Sequence, residues 1–220
     1  MGDPVAKAEL FETLAQVGKV LGNGKRLELL DLLAQGERTV EALARAAAVG
    51  VTTCSAHLQT LKQANLVATR KHGTKVYYRL AGPDVAALYA LLRDVADAHS
   101  TRAAAARDAY LGDDDTVAVS RAELQRRLAT GQVVAVDVRP AVEYAAGHIP
   151  GALSIPLDQL ADRLAELPTT LAVVAYCRGA YCVLAHDAVR LLTARGRHAS
   201  RLVDGMLEWR LADLPVDAAA

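Results

Sequence analysis

The sequence is poor in cysteine, with three in 220 residues, and its net charge is zero. An odd number of cysteines in a chain with no visible export signal argues against a disulfide framework and directs attention to reactive thiols. No stretch approaches the roughly 18 apolar residues of a membrane span, and the first residues form no basic or apolar leader. We therefore expect a cytoplasmic protein without a membrane partner. Zero net charge by itself neither supports nor excludes nucleic acid binding, because the distribution of the charges decides.

The length suits two domains of about 100 residues each. Just over half of the residues are apolar and about a quarter are charged, so both halves can bury a core. Apolar spacing is helical in the first half, and strands alternate with helices in the second. We predict an amino-terminal domain at 1–100, a helix tail and linker at 101–115, and a carboxyl-terminal domain at 116–220.

The amino-terminal pattern predicts helices joined by glycine-containing turns. The third covers residues 40–49 and the fourth residues 54–65, with Gly50 in the short connection that a helix-turn-helix requires. Two β-prone runs in residues 66–80 surround a basic glycine turn and predict a β-hairpin. A further helical stripe runs over residues 85–95. This order predicts a mostly helical domain with a hairpin wing.

Aspartate and glutamate are absent between Ala42 and Pro83, while cations are present throughout that stretch. Cations clustered on one surface are what phosphate neutralisation needs. The alternative is an ordinary helical domain with a basic solvated face. The absence of acidic residues, the helix-turn-helix spacing and the basic hairpin coincide here, and together they favour DNA binding. The hairpin residues assigned to double-stranded DNA are Arg70, Lys71, Lys75 and Arg79.

The fourth helix has two faces when it is projected at about 100° per residue. One carries Cys54, Leu58 and Leu61, and the opposite one carries small hydroxyl and amide side chains that can approach base edges in the major groove. We interpret Cys54 as packing with the leucines, because free cysteine is often buried; a sensor thiol near the DNA is the alternative. The residues assigned to DNA reading are Thr52, Thr53, Ser55, Ala56, Gln59, Thr60 and Gln63.

Residues 6–98 resemble an ArsR/SmtB-type winged-helix repressor. The resemblance is carried by GKRLELL at 24–30, SAHL at 55–58 with Leu61, and KVYYRL at 75–80. It implies a homodimer that pairs through its first and last helices and binds an inverted-repeat operator.

Many members of that family sense metals, but their ligand positions are mostly empty here. Carboxylates without imidazole or thiolate make a poor zinc site, and His99 is one residue out of register. We therefore expect no metal and no cofactor, with metal-responsive repression through unforeseen ligands as an alternative. The residues of this chain at the family's metal-ligand positions are Thr39, Glu41, Asp84, Ala86, Asp97 and Ser100.

The carboxyl-terminal half has the pattern of an α/β domain with a central parallel sheet. Apolar runs at 133–138 and 171–176 predict strands buried on both faces. Helices are predicted at 121–130, 157–167 and 183–195.

The second apolar run leads directly into a loop with two cysteines and then a helix. Such a loop points backbone N–H groups inward, here those of Gly179, Ala180 and Tyr181, and a helix start adds positive potential. With Arg178 adjacent, we expect a lowered pKa and a stabilised thiolate or persulfide at Cys177. An inert buried cysteine is the alternative.

Residues 116–217 resemble the rhodanese (sulfurtransferase) domain in DVR at 137–139, GHIPGA at 147–152 and DGMLEW at 204–209. The resemblance implies that Cys177 accepts a sulfane sulfur from a small donor such as thiosulfate or polysulfide and forms a persulfide. The residues interpreted as scaffold rather than catalysts are Asp137, Arg139, Glu143 and His148.

Two loop positions depart from relatives of this fold. Cys182 occupies the sixth position, where thiosulfate-active rhodaneses often carry a cation, and it either resolves the persulfide or packs below the helix. Val183 stands where a phosphatase loop needs arginine, which argues against phosphatase or arsenate reductase activity. Cys177, Arg178 and Cys182 are the catalytic candidates. We expect a repressor that senses or processes reactive sulfur; the alternative is a sulfurtransferase with an autoregulatory DNA-binding domain.

Overall fold

The computed structural model describes residues 3–113 and 115–218. Asp114, in the predicted linker, and the outermost residues of both predicted domains lie outside these ranges. The chain divides into two compact units, Met1–Tyr89 (the amino-terminal unit) and Ala90–Ala220 (the carboxyl-terminal unit). No helix in the described ranges has the length and apolar character needed to cross a bilayer.

The amino-terminal unit has the predicted winged helix-turn-helix order. The side chains of Asp3, Asn23 and Thr39 each accept a backbone N–H at the start of a helix, which fixes where the first three helices begin. The helices are α1 (Pro4–Leu21), α2 (Gly24–Ala34), α3 (Val40–Ala46), α4 (Val51–Gln63) and the first half of α5 (Pro83–His99).

The predicted hairpin is present as β2 (Val67–His72) and β3 (Lys75–Leu80), an antiparallel pair. Gly73 adopts a φ of 59° in the turn between them, a left-handed conformation that glycine takes without steric cost. A two-residue strand, β1 (Arg38–Thr39), adds to β3 on its other side and was not predicted. Strand β1 leads directly into α3, so it joins the wing to the helix-turn-helix.

Two predicted helix boundaries are wrong by three residues. Helix α3 ends at Ala46 rather than at residue 49, and Ala48 then takes a left-handed φ of 51° that stops the helix. Helix α4 begins at Val51 rather than at Cys54, with Gly50 as its N-cap. Thr52 and Thr53 therefore lie in the first turn of α4.

The core of this unit contains the apolar faces of its helices. Leu29, Leu43 and Leu58 are each at most 1% exposed, and Cys54 is fully buried among them. The packing interpretation of Cys54 agrees with this placement. Burial also raises the pKa of the Cys54 thiol, as expected for an inert cysteine.

Within the described residues, the carboxyl-terminal unit contains a five-stranded sheet of parallel pairs in the order β4-β8-β7-β5-β6. Val173 and Ala175 of β7 belong to one apolar cluster, while Val174 and Tyr176 belong to another, so this strand is buried on both faces. The strands are β4 (Ala118–Val119), β5 (Val133–Asp137), β6 (Leu153–Ser154), β7 (Ala172–Tyr176) and β8 (Ala199–Leu202).

Helices connect these strands. Residues 101–111 of the predicted linker form a separate helix, because Ser100 ends α5 and caps α6. The helices of this unit are the second half of α5, α6 (Thr101–Leu111), α7 (Arg121–Ala129), α8 (Ala141–Ala145), α9 (Leu184–Ala194) and α10 (Met206–Leu211).

The helix predicted over residues 157–167 is wrong. Two short 3₁₀ turns, Leu157–Gln159 and Leu164–Glu166, occupy this stretch. Leu160 and Leu167 are buried in the core, each three residues after another leucine. A three-residue spacing places side chains on one face of a 3₁₀ turn as well as on an α-helix, so the periodicity could not distinguish the two.

Candidate functional site

Cys177 lies at the carboxyl end of β7, in a loop of residues 177–183 (the Cys177 loop) that leads into α9. It is 1% exposed. Its Sγ donates a hydrogen bond to the backbone oxygen of Cys182 at 3.3 Å. The Cys182 N–H in turn donates to the Gly179 oxygen at 3.0 Å, which closes a tight turn. The loop therefore holds two thiols next to each other, the first almost completely shielded from solvent.

The two thiols differ in acidity. Burial raises the pKa of Cys177 well above its ordinary value, and the neighbouring Cys182 raises it further, although backbone hydrogen bonds with Ala185 and Gly179 act in the opposite direction. The pKa of Cys182 is lowered, first because of its side-chain hydrogen bond with Cys177. The expected acidification of Cys177 is therefore wrong for the unmodified chain, because desolvation outweighs the helix start. Cys182 is the more acidic thiol.

Arg178 forms a two-pronged ion pair with Glu143, at 2.7 Å between Nη2 and Oε1 and 3.0 Å between Nε and Oε2. Glu143 is 1% exposed, so its carboxylate depends on this partner. The pair anchors the Cys177 loop to α8. The charge of Arg178 also helps to lower the pKa of Cys182.

A cavity of about 10 Å³ adjoins the Cys177 thiol. This is comparable to the space that a single water molecule needs. The site has room for about one additional small atom, and a bulky adduct requires the walls to move. The walls include Gly179, Ala180, Cys182, Ala185 and His186.

The residues interpreted as scaffold form buried contacts around this end of the sheet. Asp137 and Arg139 are fully buried and paired, with Arg139 Nε 2.9 Å from Asp137 Oδ1. Arg139 also donates to the Gly147 oxygen at 2.8 Å, and the ring of His148 stacks on Tyr144 with centroids 3.6 Å apart. These contacts hold the connection after β5 in place.

One carboxylate at the site was missed by the sequence interpretation. Glu208, in the first turn of α10, accepts the N–H of Gly205 at 2.9 Å and that of Ala180, in the Cys177 loop, at 3.5 Å. The Ala180 amide, assigned to a cradle for sulfur, is thus directed to this carboxylate. Glu208 also pairs with Arg93, 115 residues earlier in the chain. Glu208 stands inside DGMLEW, but nothing local indicated its partner.

The projected faces of α4 agree with the structure. Cys54, Leu58 and Leu61 are fully buried. Gln59 donates from Nε2 to the Tyr78 hydroxyl at 3.1 Å and so connects α4 to the wing. The side chains assigned to DNA reading are all at least partly exposed: Thr52, Thr53, Ser55, Ala56, Gln59, Thr60 and Gln63.

The wing carries the assigned cations on its surface. Lys71, Lys75 and Arg79 are exposed. Arg70 differs, because it is paired with Glu37 and lies over the Tyr77 ring at 5.1 Å. Its charge is therefore partly offset in the free protein.

The positions compared with metal ligands have other contacts. Thr39 caps α3 and Ser100 caps α6. Asp97 accepts a hydrogen bond from Tyr181 and pairs with Arg107 at 3.1 Å. In residues 3–113 and 115–218, no group of three or more histidine, cysteine, aspartate or glutamate side chains is arranged to hold a metal ion.

Comparison with known proteins agrees with both halves. Residues 120–212 match the model of the Rhodanese-like domain, and residues 21–70 match a Helix-turn-helix domain model. The winged helix-turn-helix DNA-binding domain of Mb0332 from Mycobacterium bovis, a homodimeric fragment solved in solution, is 54% identical with a TM-score of 0.43. It covers 46% of this chain and 94% of its own.

Two curated relatives match different extents of the chain. A sulfurtransferase of Allochromatium vinosum is 35% identical over 97 residues, 43% of this chain and 89% of that protein. The HTH-type transcriptional regulator Rv0324 of Mycobacterium tuberculosis is 57% identical over 219 residues, which is 100% of this chain and 96% of the relative. The chain therefore belongs to the ArsR-type helix-turn-helix transcriptional regulators that carry a rhodanese-like domain.

Proposed function

We propose that this regulator is a cytoplasmic, homodimeric repressor that accepts a sulfane sulfur on Cys177 and thereby changes its affinity for an inverted-repeat operator. The observation that carries the proposal is the pair of thiols in the Cys177 loop, with unequal acidity and a one-atom cavity, in the same chain as a DNA-reading helix. Polysulfide is the donor class that fits best, because Cys182 occupies the position where thiosulfate-active rhodaneses often place a cation.

Loading begins with a proton transfer between the two thiols. The Cys182 thiolate takes the proton of Cys177 in a minor fraction of molecules, because the raised pKa of Cys177 opposes this transfer, and attack on the donor draws the equilibrium forward. The resulting Cys177 thiolate attacks the terminal sulfur of a polysulfide. The sulfur–sulfur bond of the donor breaks, and its electron pair leaves with the shortened polysulfide. The product is Cys177 persulfide, whose added sulfur enters the small adjoining cavity and presses on its walls.

Cys182 is placed to resolve this product. After it has lost its proton to water, its thiolate attacks Sγ of Cys177, the persulfide bond breaks, and hydrosulfide leaves. The product is a Cys177–Cys182 disulfide. A persulfide and a disulfide in one loop give the regulator two oxidised states.

The dimer in this proposal is supported by exposed apolar side chains on α1 and α5. Leu10 and Leu14 are both 65% exposed, Phe11 is 59% exposed and Leu91 is 61% exposed. Large apolar side chains grouped on a helix face indicate a partner surface, and a second copy would present two reading helices to the two halves of an inverted repeat.

The test compares operator binding of the full chain with and without polysulfide, for wild type and Cys177→Ser. The duplex is one that the wild type selects from random sequence. We expect the affinity of wild type to change by about tenfold, an ordinary size for allosteric coupling, and that of Cys177→Ser to stay constant. An equal response in both proteins contradicts the proposal. Intact mass after polysulfide, with sulfur added in wild type but not in Cys177→Ser, identifies the acceptor.

A sulfurtransferase with an autoregulatory DNA-binding domain is the second candidate, favoured by the match to the Allochromatium vinosum sulfurtransferase over the rhodanese-like part. It predicts repeated sulfur transfer from polysulfide to cyanide at a rate that does not depend on DNA. A DNA affinity unaffected by sulfur loading, together with such turnover, would favour this function.

A further inference from the structure

Helix α5 is shared by the two units. Residues 83–89 belong to the amino-terminal unit, and residues 90–99 belong to the same compact unit as the Cys177 loop. A change that displaces residues 90–99 therefore acts on a helix that continues without interruption into the DNA-binding unit.

The first link between this half-helix and the Cys177 loop is the Glu208 carboxylate. Its Oε1 lies 2.6 Å from Arg93 Nη1 of α5 and 3.5 Å from the Ala180 N–H of the loop. Both side chains of the ion pair are largely buried, at 7% exposed for Arg93 and 11% for Glu208. Ion pairs withdrawn from water are sensitive to small displacements, because solvent does not replace a missing partner.

The second link is a direct hydrogen bond. The Tyr181 hydroxyl, from the Cys177 loop, donates to Asp97 Oδ1 of α5 at 2.6 Å. The guanidinium of Arg93 also lies over the Tyr181 ring, 5.3 Å from its centroid. Tyr181 thus contacts two positions of α5 that are about one helical turn apart, and Ala180 is linked to the first of them through Glu208.

The loop has little room to absorb an added atom by itself. A β-carbon at Gly205, the residue before α10, would lie 2.3 Å from the Gly179 nitrogen and 2.6 Å from the Cys177 oxygen. A β-carbon at Gly179 would lie 3.2 Å from both Glu208 carboxylate oxygens. With a cavity of about 10 Å³ beside the thiol, a sulfur atom on Cys177 presses on walls that already touch α10 and Glu208.

We propose that the Arg93–Glu208 and Asp97–Tyr181 contacts transmit the state of Cys177 to helix α5. A sulfur atom or a Cys177–Cys182 bridge moves residues 179–181, this movement loosens the two contacts, and the second half of α5 changes its position or order. The inference rests on the proposed function for its outcome at the DNA, but the movement of α5 is measurable without DNA.

The first measurement is hydrogen–deuterium exchange of the full-length wild type before and after polysulfide. Loading of Cys177 should increase exchange in residues 90–99. Unchanged exchange in these residues while intact mass shows added sulfur would overturn the inference, whatever happens to DNA affinity.

The second measurement uses variants of α5. Arg93→Gln, Asp97→Ala and the double variant should still gain sulfur on Cys177 but lose most of the response, from about tenfold in operator affinity to less than about twofold. Asp94→Asn and Arg107→Gln are matched controls, because each removes another partner of Arg93 or Asp97 without touching the loop. Both controls should respond like the wild type.

The outcomes separate the two proposals. A wild type that gains sulfur and shows faster exchange in α5 without a change in DNA affinity supports the link and contradicts the proposed function. If sulfur loading changes the operator affinity of wild type, and changes that of Asp97→Ala and Arg93→Gln by the same factor, the function is supported and the link is overturned. If Arg93→Gln does not fold, the Asp97→Ala variant and exchange in wild type decide the question.

Discussion

The wing of the amino-terminal unit and the connection after β5 in the carboxyl-terminal unit place charged side chains in different environments. In the amino-terminal unit, the wing residues Lys71 and Lys75 lie on the surface. In the carboxyl-terminal unit, Asp137, Arg139 and Glu143 are at most 1% exposed. Cations that attract phosphates must be accessible to water and DNA, whereas charges that fix a loop must be neutralised by their neighbours. Charged side chains are therefore exposed where we propose contact with DNA and paired with their neighbours where they fix a loop.

The largest effect is expected from the removal of one buried charge. We expect Arg139→Ala to lower the free energy of unfolding of the carboxyl-terminal unit by about 3–5 kcal/mol, because Asp137 is left buried without its partner. Urea unfolding followed by the fluorescence of Trp209, the sole tryptophan, measures this loss. Arg163→Ala, which breaks an exposed pair with Glu166, is the control. Equal losses in the two variants would show that burial of the charge is unimportant.

A second experiment concerns the unequal thiols. In wild type, the rate of sulfur loading should rise with pH through the lowered pKa of Cys182, since its thiolate accepts the Cys177 proton. In Cys182→Ser, the buried Cys177 must ionise alone, so the rise moves to higher pH. At pH 7 we expect loading to be slower by about tenfold or more, as for one unit in pKa.

Intact mass at timed intervals across a pH series gives these rates. Cys54→Ser, which removes a buried thiol from the other unit, is the control and should keep the wild-type profile. Identical profiles for Cys182→Ser and wild type would exclude Cys182 as the proton acceptor.

The smallest expected effect concerns two cations of the wing, Lys71 and Arg70. Lys71→Ala should reduce the slope of log affinity against log salt by about 0.9 for each DNA phosphate that the lysine neutralises in wild type. Arg70→Ala should reduce it less, because Glu37 already offsets that charge. Titrations of the selected duplex at several salt concentrations measure both slopes. A larger reduction for Arg70→Ala would mean that the ion pair with Glu37 opens on DNA.

The fold was largely predictable because its periodicities are local. The hairpin, the buried strands β5 and β7, and the two faces of α4 follow from apolar spacing and glycine positions. The structure of residues 157–167 was not predictable, because its leucine spacing suits an α-helix and 3₁₀ turns equally. Packing against the sheet, which is not encoded in a short window, decided between them.

The candidate site was predictable as a loop but not as an electrostatic environment. The order of Cys177, Arg178 and Cys182 is written in the sequence, whereas the depth of burial that raises the pKa of Cys177 depends on distant segments. The same holds for Arg93 and Glu208, which meet across 115 positions of the chain. Pairing at such separation leaves no periodic signal in one sequence.

The confinement of Cys177 has a consequence for selectivity in a cell rich in other thiol reagents. A glutathione disulfide must bring a whole tripeptide to the sulfur it attacks, whereas a polysulfide delivers one atom from the end of a slender chain. A thiol that is 1% exposed beside a cavity of about 10 Å³ obstructs the tripeptide more than it obstructs the end of a polysulfide. The geometry of the loop thus discriminates by size between bulky disulfides and slender donors, a selectivity that the proposed sulfur chemistry at Cys177 would use.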